Sequence, residues 1–234
     1  MADDYSDIGF QIHDEADFSA LHTAYPELLT RRKNMYGEAV ELFSPDGRAE
    51  LWYYENEDGA FGDYAEPGYR SGHSTEVMPQ AWLPGAMLEV ETGVCRMTVA
   101  VPGAFLKPLE LGNPCPMELT LFARNLAVYE NADDFMIKRK GSTAPESIIP
   151  FGSFSLSGKE EEFEPDAVAD VSGVVTEVTL RENPVHHGQY YEIGLSCLGI
   201  DFTVVADAEL LPTPPQVGNI LKGVYWVSGR MTDT

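Results

Sequence analysis

The sequence predicts an α+β protein, predominantly antiparallel β, with a small helix-plus-hairpin region over residues 1–80 and a larger β-rich region over 81–234. Two patterns point there. Helical spacing of apolar residues stands out in one segment near the N-terminal end, whereas short alternating runs bounded by Gly, Pro, Asn and Asp fill most of the remainder. With 44% of its 234 residues hydrophobic, the chain has enough apolar surface to build one large core or two small ones, which excludes a disordered chain.

Residues 14–36 carry the helical pattern. Asp14 is placed to cap, acids follow it, and Phe18, Leu21, Tyr25, Leu28 and Leu29 recur at helical intervals. Pro26 is expected to kink or split this helix, and Arg31, Arg32 and Lys33 near its end would complement the helix dipole. A hairpin follows, Glu38 to Ser44 and Arg48 to Glu55, reversed by Pro45-Asp46-Gly47. The stretch from Asn56 to Pro79 has no period and reads as a long loop or linker.

From Trp82 onward strands succeed one another. Met87–Glu91 and Val94–Val101 flank Thr92-Gly93 as a second hairpin, with Cys95, Met97, Val99 and Val101 on one face. A loop punctuated by glycine and proline covers 102–116, and Met117–Tyr129 is a long strand bent or bulged near Asn125. Asn131–Phe135 reads as a short turn or helix, and 138–165 as an excursion around an extended piece, Ile148–Leu156. The last seventy or so residues alternate most clearly. Val168–Arg181 is interrupted by Gly173, Gln189–Leu198 sets Tyr191, Ile193, Leu195 and Cys197 on one face, and Ile200–Ala208 follows. A Pro-rich connection, 211–216, leads to Asn219–Ser228.

A bent strand containing Gly173, two further strands, a Pro-rich connection and then Val217-Gly218-x-Ile220-x-x-Gly223 resemble the oligonucleotide/oligosaccharide-binding barrel, the OB-fold, over about residues 165–231. The resemblance implies an OB-like β-barrel as the C-terminal region. Two departures stand out: 209–217 is too short and Pro-rich for the usual helix, and no fifth strand follows Ser228. An earlier strand, 117–129 or 148–156, would have to complete the barrel. The string Ala144-Pro145-Glu146-Ser147-Ile148-Ile149-Pro150-x-Gly152-x-Phe154, with Trp226-Val227-Ser228-Gly229-Arg230, is also similar to a set of uncharacterised bacterial proteins. That similarity implies a bacterial origin and carries over no functional residue.

Fifteen Lys and Arg against 38 Asp and Glu leave a net charge of -23, which argues against nucleic acid and anionic membrane as partners. Residues 1–80 hold 17 acids and 5 bases, 81–159 hold 8 and 7, and 160–234 hold 13 and 3, so the acidity sits at the two ends. No apolar run reaches membrane-spanning length, and the start has neither a basic nor an apolar leader segment. Cys95, Cys115 and Cys197 lie far apart without a Cys-x-x-Cys pair, which fits reduced thiols in a cytoplasm.

The common reaction motifs are missing. The string nearest a phosphate loop, Gly218 to Gly223, continues into Val224 instead of lysine, and there is no Gly-x-Ser-x-Gly or His-Glu-x-x-His. Setting Gly59 at the glycine of an EF-hand loop puts Tyr54 and Ala65 where oxygen ligands are required. His186 and His187 are adjacent, so on extended chain they point to opposite sides and share an ion only in a turn. No metal and no cofactor are expected. Cys115, between Pro114 and Pro116, has no base near it in sequence.

Tyr190, Tyr191, Tyr225 and Trp226 either fill the core or, on an OB-type sheet, stack with sugars or bases. The candidate binding residues are therefore Tyr190, Tyr225, Trp226, His186 and His187, with no catalytic residue assigned. The leading expectation is a non-enzymatic protein-binding module, of immunity or inhibitor type, whose acidic surface takes a basic protein partner. The alternatives are a hydrolase of carbohydrate or peptide, with carboxylates in a cleft between the two regions, and an oligosaccharide binder with exposed aromatics.

Overall fold

The computed structural model describes residues 4–34, 37–83, 86–102, 109–139, 144–151 and 165–232. Among them are two α-helices and thirteen strands in two sheets, one of four strands and one of nine. The protein is α+β and predominantly antiparallel β, as the alternating patterns predict. No helix among the described residues is long and apolar enough to cross a membrane.

Helix α1 (Glu15–Ala24) starts at a capping box: the Asp14 carboxylate accepts from the backbone N–H groups of Ala16 and Asp17, and the Asp17 carboxylate accepts from that of Asp14. It ends earlier than the periodicity predicts. Pro26 opens a 3-10 turn, Pro26–Leu28, and the chain continues as strand β1 (Leu29–Lys33). Arg31, Arg32 and Lys33 thus lie on an exposed strand instead of a helix end.

Strand β1 pairs with β2 (Ala39–Phe43), β2 with β3 (Ala49–Tyr54), and β3 with β4 (Ala65–Tyr69). The β2–β3 hairpin is the one the Pro-Asp-Gly turn predicts. Strand β4 corrects the expected long loop over 56–79. Its Pro67 and Gly68 disguise it, yet both suit an edge strand that pairs on one side only. Gly68 lies against the Trp52 indole, where a Cβ would stand 3.1 Å from Nε1.

The larger sheet consists of β5 (Thr75–Leu83), β6 (Met87–Glu91), β7 (Arg96–Ala100), β8 (Cys115–Tyr129), β9 (Ser147–Pro150), β10 (Val168–Glu182), β11 (Gln189–Cys197), β12 (Ile200–Asp207) and β13 (Ile220–Met231). The boundary between residues 80 and 81 falls inside β5. Of the expected extended piece 148–156, residues 152–156 lie outside the described residues, as does most of the excursion over 138–165. Helix α2 (Ala132–Lys138), capped by the Asn131 side chain on Asp134 N–H, stands where the short turn or helix is predicted.

The strand order β11-β12-β8-β5-β6-β7-β13-β10-β9, with the extra pairing of β10 to β11, closes a ring of eight strands that is loosely barrel-like. The long β8–β13 ladder crosses this ring, so a smaller circuit, β10-β11-β12-β8-β13, also returns on itself. Of the two earlier strands offered for that role, the one over 117–129 enters this circuit, whereas β9 pairs with β10 outside it. All its pairings are antiparallel except β12 with β8.

Two irregularities bend the circuit. Arg124 is an extra residue in β8, since Val224 faces Asn125 while Tyr225 faces Ala123, and Thr176 is extra in β10. Gly173 permits the close crossing beside it: a Cβ there would lie 2.5 Å from the Ser196 carbonyl oxygen.

Alternation along these strands builds two cores. Inward residues such as Val99, Leu121, Val171, Leu195 and Tyr225 fill the ring. Residues of opposite parity, Phe122, Tyr190 and Val205, pack beneath Ile8, Phe10, Phe18, Phe43, Leu51 and Tyr69 of the N-terminal region. The sheet is covered on both faces here, and the N-terminal layer lies on the outside of the ring.

Candidate functional site

The junction between this layer and strands β11 and β12 collects most of the unusual polar chemistry. At its centre is Glu192, on the outward parity of β11. Arg181 donates to both carboxylate oxygens, Nε to Oε2 at 2.7 Å and Nη2 to Oε1 at 3.1 Å. Arg48 Nη1 donates at 3.0 Å, and the Tyr69 hydroxyl donates to Oε2 as well. Burial pushes the Glu192 carboxyl up, but the Arg181 hydrogen bonds, the Tyr69 hydroxyl and the two guanidinium charges outweigh it and hold the group below the ordinary range. Arg48 comes from the β2–β3 turn, Tyr69 from β4, and Glu192 and Arg181 from the ring, so this cluster ties the two layers together.

A second buried carboxylate, Glu50, faces Arg230 at 3.4 Å and Arg70 at 3.9 Å, and accepts from Trp52 Nε1 at 3.1 Å. Burial dominates there and lifts its pKa despite the arginines. Asp7, in the 3-10 turn Ser6–Ile8, is fully buried as well. It accepts from Asp207 N–H at 2.9 Å, while its Oδ2 has no hydrogen-bond partner. Burial raises its pKa well above the usual 3.8, and the Asp4 and Asp207 charges add to the rise.

The turn 183–188 holds the histidine pair. Asn183 organises it: Oδ1 accepts from Val185 and His186 N–H groups, and Nδ2 donates to the Ile8 carbonyl at 3.0 Å. His186 turns to the N-terminal segment, where Nδ1 accepts from Gln11 N–H at 2.9 Å and the ring meets Phe10 edge-on. His187, at φ 57°, turns the other way and places Nδ1 2.8 Å from Glu182 Oε1. The rings diverge to separate partners, and among the described residues no group of three or more His, Cys, Asp or Glu is arranged to hold a metal ion.

The aromatic candidates are inside. Tyr190 and Tyr225 are 0% exposed, one under the N-terminal layer against Tyr69 and the other in the ring core. Trp226 is partly buried and edge-on to Phe122 at 5.1 Å. Tyr190 faces the N-terminal layer and Tyr225 the ring core, so neither of these two rings turns a face to solvent.

Two open grooves flank the junction. One, of about 490 Å³, runs beside the histidine turn and is lined by Phe10, Gln11, His187, Gln189, Asp207 and Glu209 among others. The other, of about 530 Å³, lies between the 72–74 connection and the ring, with His73, Ser74, Thr176, Glu177 and Asp201 on its walls. Sequence reasoning passes over Glu192, Arg181 and Tyr69, and over His73, Glu177 and Asp201. An acid between alternating apolar residues reads as solvated surface until something covers that face.

Compared with models of protein families, with curated proteins and with solved structures, the chain matches none of them.

Proposed function

We propose that this chain is a protein-interaction module, built on an OB-type barrel, that docks a basic protein partner through its acidic exterior. The small circuit β10-β11-β12-β8-β13 supports the OB-type assignment: five strands curled by bulges, with the fifth recruited from earlier in the chain. The observation that carries the functional part is the disposition of charge. Arg48, Arg70, Arg181, Lys222 and Arg230 turn their charges onto carboxylates at the layer junction and along the β10–β13 ladder. Acids such as Glu55, Glu57, Asp58 and Asp63 stay exposed around one turn, held in shape by Asn56, whose side chain accepts from Asp58 and Ala60 N–H groups. The excess negative charge of a -23 chain is therefore displayed outward, where it steers a cationic surface.

The test is affinity capture from the native host at low salt, followed by binding measurements on the isolated partner. Affinity falls by at least about tenfold between roughly 50 and 500 mM salt if acidic docking is correct. An affinity indifferent to salt overturns it, as does a partner whose binding is unchanged by E57Q/D58N/D63N together with E55Q.

A hydrolytic reading has one observation in its favour. The 530 Å³ groove lies between the N-terminal region and the ring, and brings Glu177, Asp201 and His73 to its walls. Turnover of any glycoside or peptide in a substrate panel, abolished by E177Q or D201N, is what that reading requires.

A further inference from the structure

Strand β1 is the outer edge of the four-stranded sheet, and among the described residues it pairs with β2 alone. Asn34 N–H donates to the Glu38 carbonyl at 2.9 Å, one step beyond the Lys33–Ala39 pair. Hydrogen-bonding direction alternates along an antiparallel strand, so Asn34, Arg32 and Thr30 turn their backbone groups to β2. The N–H and C=O groups of Arg31 and Lys33 then face outward, toward nothing in the sheet. Thr30, Arg31, Arg32 and Lys33 are all exposed.

This edge carries three consecutive bases in a chain whose net charge is -23. Arg31 rests over the Phe61 ring at 5.1 Å and stands 3.8 Å from Glu55. Arg32 and Lys33 have no ion pair among the described residues. Glu55 and, across the ladder, Glu41 offset Arg31, and more distant acids are screened beyond the Debye length of about 8 Å at physiological salt, so a strand laid along β1 meets two bases, Arg32 and Lys33, that are not offset in this way. A second copy of the chain is disfavoured there, because antiparallel pairing of β1 with itself would set bases against bases.

We propose that β1 is a β-augmentation site, which adds an acidic extended segment of another protein to the sheet as a fifth strand. The outward backbone groups of Arg31 and Lys33 supply the ladder. Arg31 and Lys33 project to one side of the new strand and Arg32 to the other, so acids at alternate positions of the partner meet Arg31 and Lys33 on one face. This surface adjoins the acidic 55–63 turn, which Arg31 contacts through Glu55 and Phe61, but takes a partner of opposite charge. The alternative role for such bases is to repel chance pairing at an open edge.

The experiment uses the full chain and a fluorescein-labelled peptide of alternating Glu and Val, followed by anisotropy at about 50 mM salt. Saturable binding is expected, at least tenfold weaker when every peptide nitrogen is methylated, which keeps the charge and removes the donors of both edges. It is also expected to weaken at least tenfold in R31Q/K33Q, whose fold is checked by an unchanged thermal midpoint. Absence of binding, or equal binding of the N-methylated peptide, overturns the proposal; the methylated peptide decides the matter even if the double variant fails to fold.

Discussion

Gly9 and Gly188 meet backbone to backbone. A Cβ on Gly188 would lie 2.4 Å from the Gly9 carbonyl oxygen, and one on Gly9 2.5 Å from the Gly188 carbonyl oxygen. This contact seats the N-terminal segment on the histidine turn, next to the Asn183 bond to Ile8 and the Gln11 bond to His186. Gly188→Ala is expected to lower unfolding free energy by about 2 kcal/mol through forced separation of the two chains. Gly93→Ala, at a turn with nothing within 4 Å of the added carbon, is expected to stay within about 0.5 kcal/mol of the parent. Urea denaturation of both variants checks the contrast.

Glu192 holds Arg48, Arg181 and Tyr69 in one cluster. Glu192→Gln leaves two guanidinium groups without their carboxylate and is expected to cost about 3 kcal/mol, read in the same denaturation assay. The Glu192 pKa is lowered in the folded state. Its stabilisation is therefore complete above the unfolded carboxyl pKa and is lost as pH falls through the lower folded value. Stability profiles of parent and variant are expected to converge in acid; parallel profiles down to pH of about 2 would show that Glu192 does not titrate with folding.

Asp7 runs in the opposite sense. Because burial raises its pKa, the folded protein keeps a proton that the unfolded chain releases. Its contribution is fully present below the ordinary value of 3.8 and declines as pH rises through the folded value. Asp7→Asn keeps an acceptor for Asp207 N–H and removes the ionisation. Relative to the parent, this variant is expected to gain stability as pH increases, by thermal unfolding across the acid-to-neutral range.

His186 accepts from Gln11 N–H through Nδ1, so the bond exists only while that nitrogen is unprotonated. Burial is the main cause holding its pKa below the usual 6.5; the nearby Asp17 opposes this and His13 adds to it. The folded state thus resists protonation, and the stability tied to this bond is present above 6.5 and lost as pH falls through the lower folded value. The protection factor of the Gln11 amide in hydrogen exchange is expected to drop over that interval. In His186→Ala it is low and flat.

What the sequence discloses about the fold is what neighbouring residues decide. Asp14 and Asp17 cap α1 from within four residues, Pro45-Asp46-Gly47 reverses the first hairpin, and alternation separates Leu195 and Cys197 from the opposite face. The bulge beside Asn125 is also legible, as is the need for a bend near Gly173. Strand β4 is not, because Pro67 and Gly68 are poor strand formers that only the pairing with β3 makes tolerable.

The candidate site was less accessible to such reading. Tyr190 and Glu192 share the outward face of β11, and a face bearing a carboxylate looks solvated when only the strand is known. The N-terminal layer buries both, converts the tyrosine into core and turns the acid into the anchor of two arginines.

By itself the sequence determined the composition of the elements, the excess of acid and the lack of the familiar reaction motifs, since these follow from residue identity and short-range spacing. Tertiary structure alone decided which earlier strand closes the ring, which sheet face the chain covers with itself, and that the Arg31-Arg32-Lys33 triplet stands on an open edge. Those depend on contacts between residues as much as 200 positions apart, as between Asp207 and Asp7, where no local pattern records the partner.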